Sequence, residues 1–395
     1  MKKKALNVLR VILCVLLVLA MLLPLFACSS QGGENETTES TGATEAANPQ
    51  LFTTQENADY LDQLYAGRVA YQGEFHDHAD TGGKSDGHST LTEWKAGLES
   101  CFMDFAAILD HKQTLHMRLP EWDNAIFIGG SEAATTLKDS KATTPKLHYN
   151  MTFATPEPLE EILNAFPEYK FDGTHFVYPG FTVERFRELV TMIQEKGGFF
   201  SNVHPKQTMM SDDPLDYYFG ERTGIEVFYQ EYGSEKTQAN YKLWTDLLAL
   251  GKKVYATAGG DGHRAPDFYA LTTIYSDKQD AATYLNYVRN GDFICGAVGI
   301  KMAIGDTTMG GECDFTGKKV IFSVGDFHEY VYNERRTYRV SLCNENEVVF
   351  SQDINCLTPA YFEVDAEDCA FYRVEVYDYR MECNIALGNP IWNTN

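Results

Sequence analysis

Five times in the first 300 residues a strand-like run ends at or just before a histidine or a carboxylate. Residues 68–75 run into His76-Asp77-His78, and 102–109 into Asp110-His111. Residues 125–129 lead toward Glu132, 199–203 into His204-Pro205, and 254–258 into Gly259-Gly260-Asp261-Gly262-His263. Stretches of helical character lie between them. One starts at Ser89 and runs to about 100; another starts at Thr182 and ends before Gly197-Gly198; a third covers 239–250 and stops at Gly251. Strands alternating with helices argue for an α/β fold, either a parallel barrel or an open sheet. In such folds, sites gather at the carboxyl ends of the strands. One histidine at a strand end is usually structural; five polar endings in one domain point to a shared site.

The segment 73–87, GEFHDHADTGGKSDG, holds two of the ten histidines one residue apart. On a strand that spacing sends His76 and His78 to the same face and Asp77 to the other. Read alone, the segment is either a polar surface loop or one wall of a metal site. Imidazole and carboxylate donors suit zinc, manganese or iron and do not select among them. Asp110 either orients a ligand or is a strand-end polar residue. Glu226, inside the short strand 224–228, either faces the site or packs away from it. His88, His116, His175 and His328 belong to no motif and read as surface or structural residues.

The last hundred residues differ in character. Short runs at 318–324, 338–342, 347–351, 361–364 and 372–377 are rich in Val, Tyr and Phe and lack helical periodicity. They predict an all-β, sandwich-like domain over 294–395, after an α/β domain over 59–293. Six cysteines crowd this end (Cys295, Cys313, Cys343, Cys356, Cys369 and Cys383). They either pair into up to three disulfides or stay as buried thiols. No C-x-x-C spacing occurs, which argues against a zinc knuckle.

The start of the chain reads as an address. Lys2, Lys3, Lys4 and Arg10 precede an apolar run over 11–23 that is short for a transmembrane span. Leu25-Phe26-Ala27-Cys28 resembles the end of a bacterial lipoprotein signal, in which the cysteine is lipidated; Phe26 stands where small residues are usual. This gives a signal peptide over 1–28 and a flexible polar linker over 29–58. The expected location is the outer face of the cell membrane, through a lipid anchor. The formal net charge of −23 excludes a broad electrostatic surface for nucleic acid.

Taken in order, these motifs resemble the polymerase and histidinol phosphatase (PHP) superfamily of metal-dependent hydrolases. The matching stretches are His76-Asp77-His78, Ser85-Asp86-Gly87, Asp110-His111, Gly130-Ser131-Glu132, His148-Tyr149-Asn150, His204-Pro205 and Gly259–His263. The resemblance covers about 66–291. The tail ending in Gly388-Asn389-Pro390-Ile391-Trp392 is similar to the carbaryl-hydrolase-like branch. The resemblance implies a distorted (β/α)7 barrel with two or three divalent metals. It places His76, His78, Glu132 and Asp261 on the first metal. Glu132 bridges to a second, held also by His148 and His204, while Asp86, His111 and His263 hold a third. Gly82-Gly83-Lys84 lengthens the usual gap before Asp86, which leaves Asp80 as an alternative donor.

The expected activity is ester hydrolysis by a metal-activated water, with Glu132 and Asp261 at the reacting centre. The leading substrate class is a small phosphate ester. A carboxyl or carbamate ester, a nucleotide or oligonucleotide phosphodiester, and a non-catalytic binding role are the alternatives. A phosphate needs cations in an acidic protein. Lys112, Lys206 and Arg264 directly follow metal motifs, and Arg264 is the best suited because a guanidinium grips two oxygens at once.

Overall fold

The computed structural model describes residues 48–83, 85–169, 180–329 and 336–395. The signal segment, most of the linker, Lys84 and His175 lie outside the described residues. Among the described residues, no helix is long and apolar enough to cross a membrane.

Strand Val69–Asp77 is the hub of the mixed α/β fold. On one side it pairs parallel with Phe105–Ile108, which pairs parallel with Phe127–Leu137. The sheet continues through Thr144–Phe153, Phe199–Val203, Thr223–Tyr229 and Val254–Gly259. A parallel bridge from Asp77 to Gly262 brings the last of these back to the first. Thr144–Phe153 runs antiparallel to both of its neighbours, so the ring is not a uniform strand–helix repeat. Helices Leu91–Ser100, Val183–Glu195 and Glu235–Ala249 bury apolar faces against it. Their caps are Thr90, Thr182 and Ser234, each accepting a backbone N–H at the helix start. The last helix begins four residues before the expected start at 239, and the first is capped by Thr90 rather than Ser89.

On its other side Val69–Asp77 pairs antiparallel with Leu271–Ser276, and that strand with Ile294–Gly296. From there the sheet passes without interruption into Cys383–Gly388, Phe371–Asp378, Tyr338–Cys343 and Val348–Ile354. A second sheet contains Gln50–Phe52, Ala360–Asp365, Lys319–Gly325 and Gly299–Ile304. Phe350 of the first sheet packs on Phe322 and Phe362 of the second, at 6.0 and 5.6 Å between ring centroids.

Two expected boundaries change. The linker does not extend to 58: Gln50–Phe52 is a strand and Gln55–Leu64 a helix capped by Thr54. Phe52 stacks on Phe362 at 5.1 Å, and Ala58 and Leu61 are buried. At the other expected boundary, Ile294–Gly296 is hydrogen-bonded on both sides, so the sheet runs through 294. The change in composition there marks a change of partners within one sheet. All seven described cysteines are free thiols, five of them buried.

Asn389 ties this tail to the ring. Its Oδ1 accepts the Ala256 N–H at 2.8 Å and its Nδ2 donates to the Phe293 carbonyl at 3.1 Å, all buried. Asn389→Ala should therefore strand two buried backbone groups and destabilise the chain by roughly 2–4 kcal/mol. Urea denaturation measures this; a loss within experimental error would show that the tie is dispensable.

Candidate metal centre

His76 lies on strand Val69–Asp77, and His78 follows it in the same register. The His78 N–H donates to the Gly262 carbonyl at 2.8 Å, which sets the strand end against the glycine-rich turn. Gly259 is required here: a Cβ at that position would lie 2.5 Å from both His76 Cβ and Glu226 Oε1. Buried Glu74, on the same face of the strand, accepts the backbone N–H groups of Gly260, Tyr269 and Ala270 at 2.8, 2.6 and 3.0 Å. Burial pushes its carboxyl up to about 8.

The loop after His78 folds back on itself. Asp110 accepts the Ala79 N–H at 2.9 Å and bonds the Thr81 hydroxyl, so it holds the loop and touches no member of the donor set. Asp80 N donates to Ser89 O at 2.8 Å. Gly87 sits where a Cβ would come 2.5 Å from the Ala79 nitrogen. The result brings Asp86 to 3.2 Å from His111 Nε2 and 3.4 Å from His263 Nε2, while Asp80 is exposed. Asp86 is thus the carboxylate that this loop brings into the cluster.

Glu132 and His148 come from neighbouring antiparallel strands, not from strand ends. Glu132 pairs with Asn150 and Ala134 with His148, so Glu132 and His148 are diagonal neighbours. Glu132 is buried and meets five imidazoles. Its Oε1 lies 2.8 Å from His148 Nδ1 and 3.4 Å from His204 Nε2. Its Oε2 lies 3.4, 3.2 and 3.5 Å from His76 Nε2, His78 Nε2 and His111 Nδ1. Asp261 Oδ1 is 3.1 Å from His78 Nε2 and 3.7 Å from His76 Nε2.

Three donor groups result, each compact enough to hold one ion: His76, His78, Glu132 and Asp261; Glu132, His148 and His204; and His78, Asp86 and His111. They share Glu132 and His78. All nine residues singled out in the sequence therefore converge, with His263 reaching the third group through Asp86. Buried carboxylates packed this closely need compensating positive charge. The donor chemistry fits divalent metals.

The backbone is strained at this site. Lys112, His204 and Asp261 have φ of 50°, 32° and 54°, in the left-handed region. Each directly follows a candidate ligand or is one, which is where such strain is characteristically stored.

Other residues sort clearly. Asp77 is buried on the opposite face beside Gly262. His116 is buried beside Asp110, and His328 Nε2 lies 3.1 Å from the Phe102 carbonyl; both are structural. His88 is exposed, its N–H donating to the His263 carbonyl at 2.7 Å. Lys206, expected on the rim, is committed to the Ser211 carbonyl at 2.5 Å and to the Tyr217 ring. Pro205 opens a short helix, Pro205–Thr208, that turns it there. Arg264 is exposed and, among the described residues, has no ion-pair partner. Asp267 donates its N–H to the Arg264 carbonyl at 2.6 Å.

Two residues at the site went unassigned in the sequence. Tyr229 ends strand Thr223–Tyr229; its hydroxyl lies 3.2 Å from Asp261 Oδ2 and its ring 4.9 Å from that of His204. Its signal was a sixth strand running into polar residues, Gln230-Glu231. Glu226 does face the site, and lies 2.8 Å from His76 Nδ1. Beside Asp261 and His263 opens a cleft of about 650 Å³, lined also by Gln230, Glu231, Lys236, Asp267 and Tyr269.

No family model matches the chain, and neither does any curated protein. Among solved structures, it is similar to a two-domain protein from Bacteroides vulgatus described as containing a predicted PHP-like metal-dependent phosphoesterase. That likeness has 12% identity and a TM-score of 0.41, over 82% of this chain and 96% of the other. A lesion-specific endonuclease from Pyrococcus furiosus matches at 13% identity and a TM-score of 0.41, over 56% of each chain. Likenesses this distant assign no function. The buried His/Glu/Asp cluster itself fits a metal-dependent hydrolase.

The protonation of the cluster gives a test. Burial alone would lower the His78 imidazole, but the adjacent carboxylates of Asp261 and Glu132 outweigh this and hold it at about 10. Glu132 is buried too, which would raise it; His111, His148 and His204 keep it well below the usual carboxylate range. Without metal, His78 therefore keeps its proton at pH 7. That proton stabilises the fold fully below pH 6.5, and the gain is lost as pH rises through about 10. A metal must displace it. Metal uptake at pH 7 should release protons, and affinity should rise with pH toward 10. Calorimetry in buffers of different ionisation enthalpy reads the release; a heat independent of buffer would contradict it.

Proposed function

We propose that this chain is a PHP-superfamily hydrolase, allied to the carbaryl-hydrolase-like branch, that cleaves phosphate esters at a di- or trinuclear metal centre. The observation that carries the proposal is one buried carboxylate, Glu132, dividing its two oxygens between donor groups on either side. Divalent ions in those groups would acidify a water and neutralise charge developing on the ester oxygens. No serine or cysteine nucleophile is then needed.

The protein's own residues do the rest. Glu132 and Asp261 present carboxylate oxygens to the reacting centre. Tyr229 donates to Asp261 Oδ2, which leaves Oδ1 directed at His76 and His78. The cleft beside Asp261 and His263 is large enough for the organic part of a small ester. Arg264, exposed and next to His263 in the chain, would supply the cation that meets phosphate oxygens.

A second reading has its own support. The cleft carries Glu231, Glu235 and Asp267 against one ammonium, Lys236. Such a lining disfavours a highly charged substrate and favours a neutral carboxyl or carbamate ester.

Arg264→Ala separates the two. On phosphate esters it should lower kcat/KM by roughly 1.5–3 kcal/mol, the worth of a charge-assisted hydrogen bond. Metal content should stay unchanged, and a neutral ester should be affected much less. Equal losses on both substrates would make Arg264 structural; faster turnover of the neutral ester by the wild-type protein would favour the second reading.

A further inference from the structure

Glu226 belongs to none of the three donor groups, yet it lies under two of them. Its Oε1 is 2.8 Å from His76 Nδ1, and its Oε2 accepts the His204 backbone N–H at 2.6 Å. The residue is 2% exposed, so water cannot substitute for either partner. Gly259 leaves the space that lets Oε1 reach the ring.

Both partners are donors. A backbone N–H can only donate. His76 turns Nε2 toward Glu132 and Asp261, at 3.4 and 3.7 Å. A ring nitrogen that binds a cation presents its lone pair, so the ring proton must sit on Nδ1, facing Glu226. An ionised carboxylate has acceptors at both ends and no donor. A glutamine of the same size has one acceptor and one amino group. Whichever way it turns, the amino group opposes an N–H. His204 adds to the demand, because its φ of 32° must be held against relaxation.

We propose that Glu226 is a positioning residue that fixes the His76 tautomer and the left-handed His204 backbone together. It thereby sets the metal affinity of the His76 group and of the His204 group at once. This rests on the metal-centre reading above. A mere packing role would survive replacement by glutamine, which fills the same volume; the proposed role does not.

The test is zinc titration of the full chain against a chromophoric chelator, for wild type and Glu226→Gln. The expected result is a loss of roughly 10–100-fold in zinc affinity, with an unchanged far-ultraviolet circular dichroism spectrum. Equal affinities would overturn the proposal. A second measurement needs no variant. In zinc-loaded wild-type protein with 15N-labelled histidine, His76 should carry its proton on Nδ1 and show a metal-shifted Nε2. Coordination through Nδ1 would overturn the proposal even if Glu226→Gln failed to fold. If the wild-type chain bound no zinc, manganese or iron, the metal-centre reading itself would fall, a result distinct from either of these.

Discussion

The site is organised around the charge of Glu132. A carboxylate buried this deeply is costly unless positive charge surrounds it. Here five histidine nitrogens lie within 3.5 Å of its two oxygens. Those histidines come from four strands or strand ends: residues 76 and 78 from one, and 111, 148 and 204 from three others. The closed sheet is what brings them to one point, and the strained backbone at His204 and Asp261 is part of the cost of aiming them.

The same economy governs the supporting residues. Glu74, Asp110 and Glu226 are buried carboxylates that bind backbone N–H groups near the ligands. Each holds a loop or a strand end in place. The tail contributes too, since Asn389 bonds the strand that leads to Gly259. The continuous sheet from Val69–Asp77 to Val348–Ile354 makes the C-terminal strands part of the frame that carries the site.

Much of the site was legible because its residues sit where sequence periodicity is informative. His76 and His78 share a face through a spacing of two, and His204 follows a short, fully buried strand. Glu132 and His148 were harder. Their strands, Phe127–Leu137 and Thr144–Phe153, are long; the first is nearly all buried, the second over its last five residues, and both mix Thr with apolar residues. Neither shows an alternation that marks its length, so motif order located the residues while their place in antiparallel strands stayed hidden. At 294 composition changes while the sheet's hydrogen bonding continues, a continuity that composition does not reveal. Lys206 misled because adjacency to a ligand says nothing of direction once Pro205 starts a new turn. Tyr229 and Glu226 act through other residues, and no spacing rule announces such a role.

The central claim is that Glu132 bridges two donor groups loaded with metal. Elemental analysis of the purified chain, in wild-type and Glu132→Ala forms, tests it most directly. The account predicts two or three divalent ions per wild-type chain and the loss of at least two on removing this one carboxylate. Equal metal content in the two proteins, or none in the wild type, would contradict it.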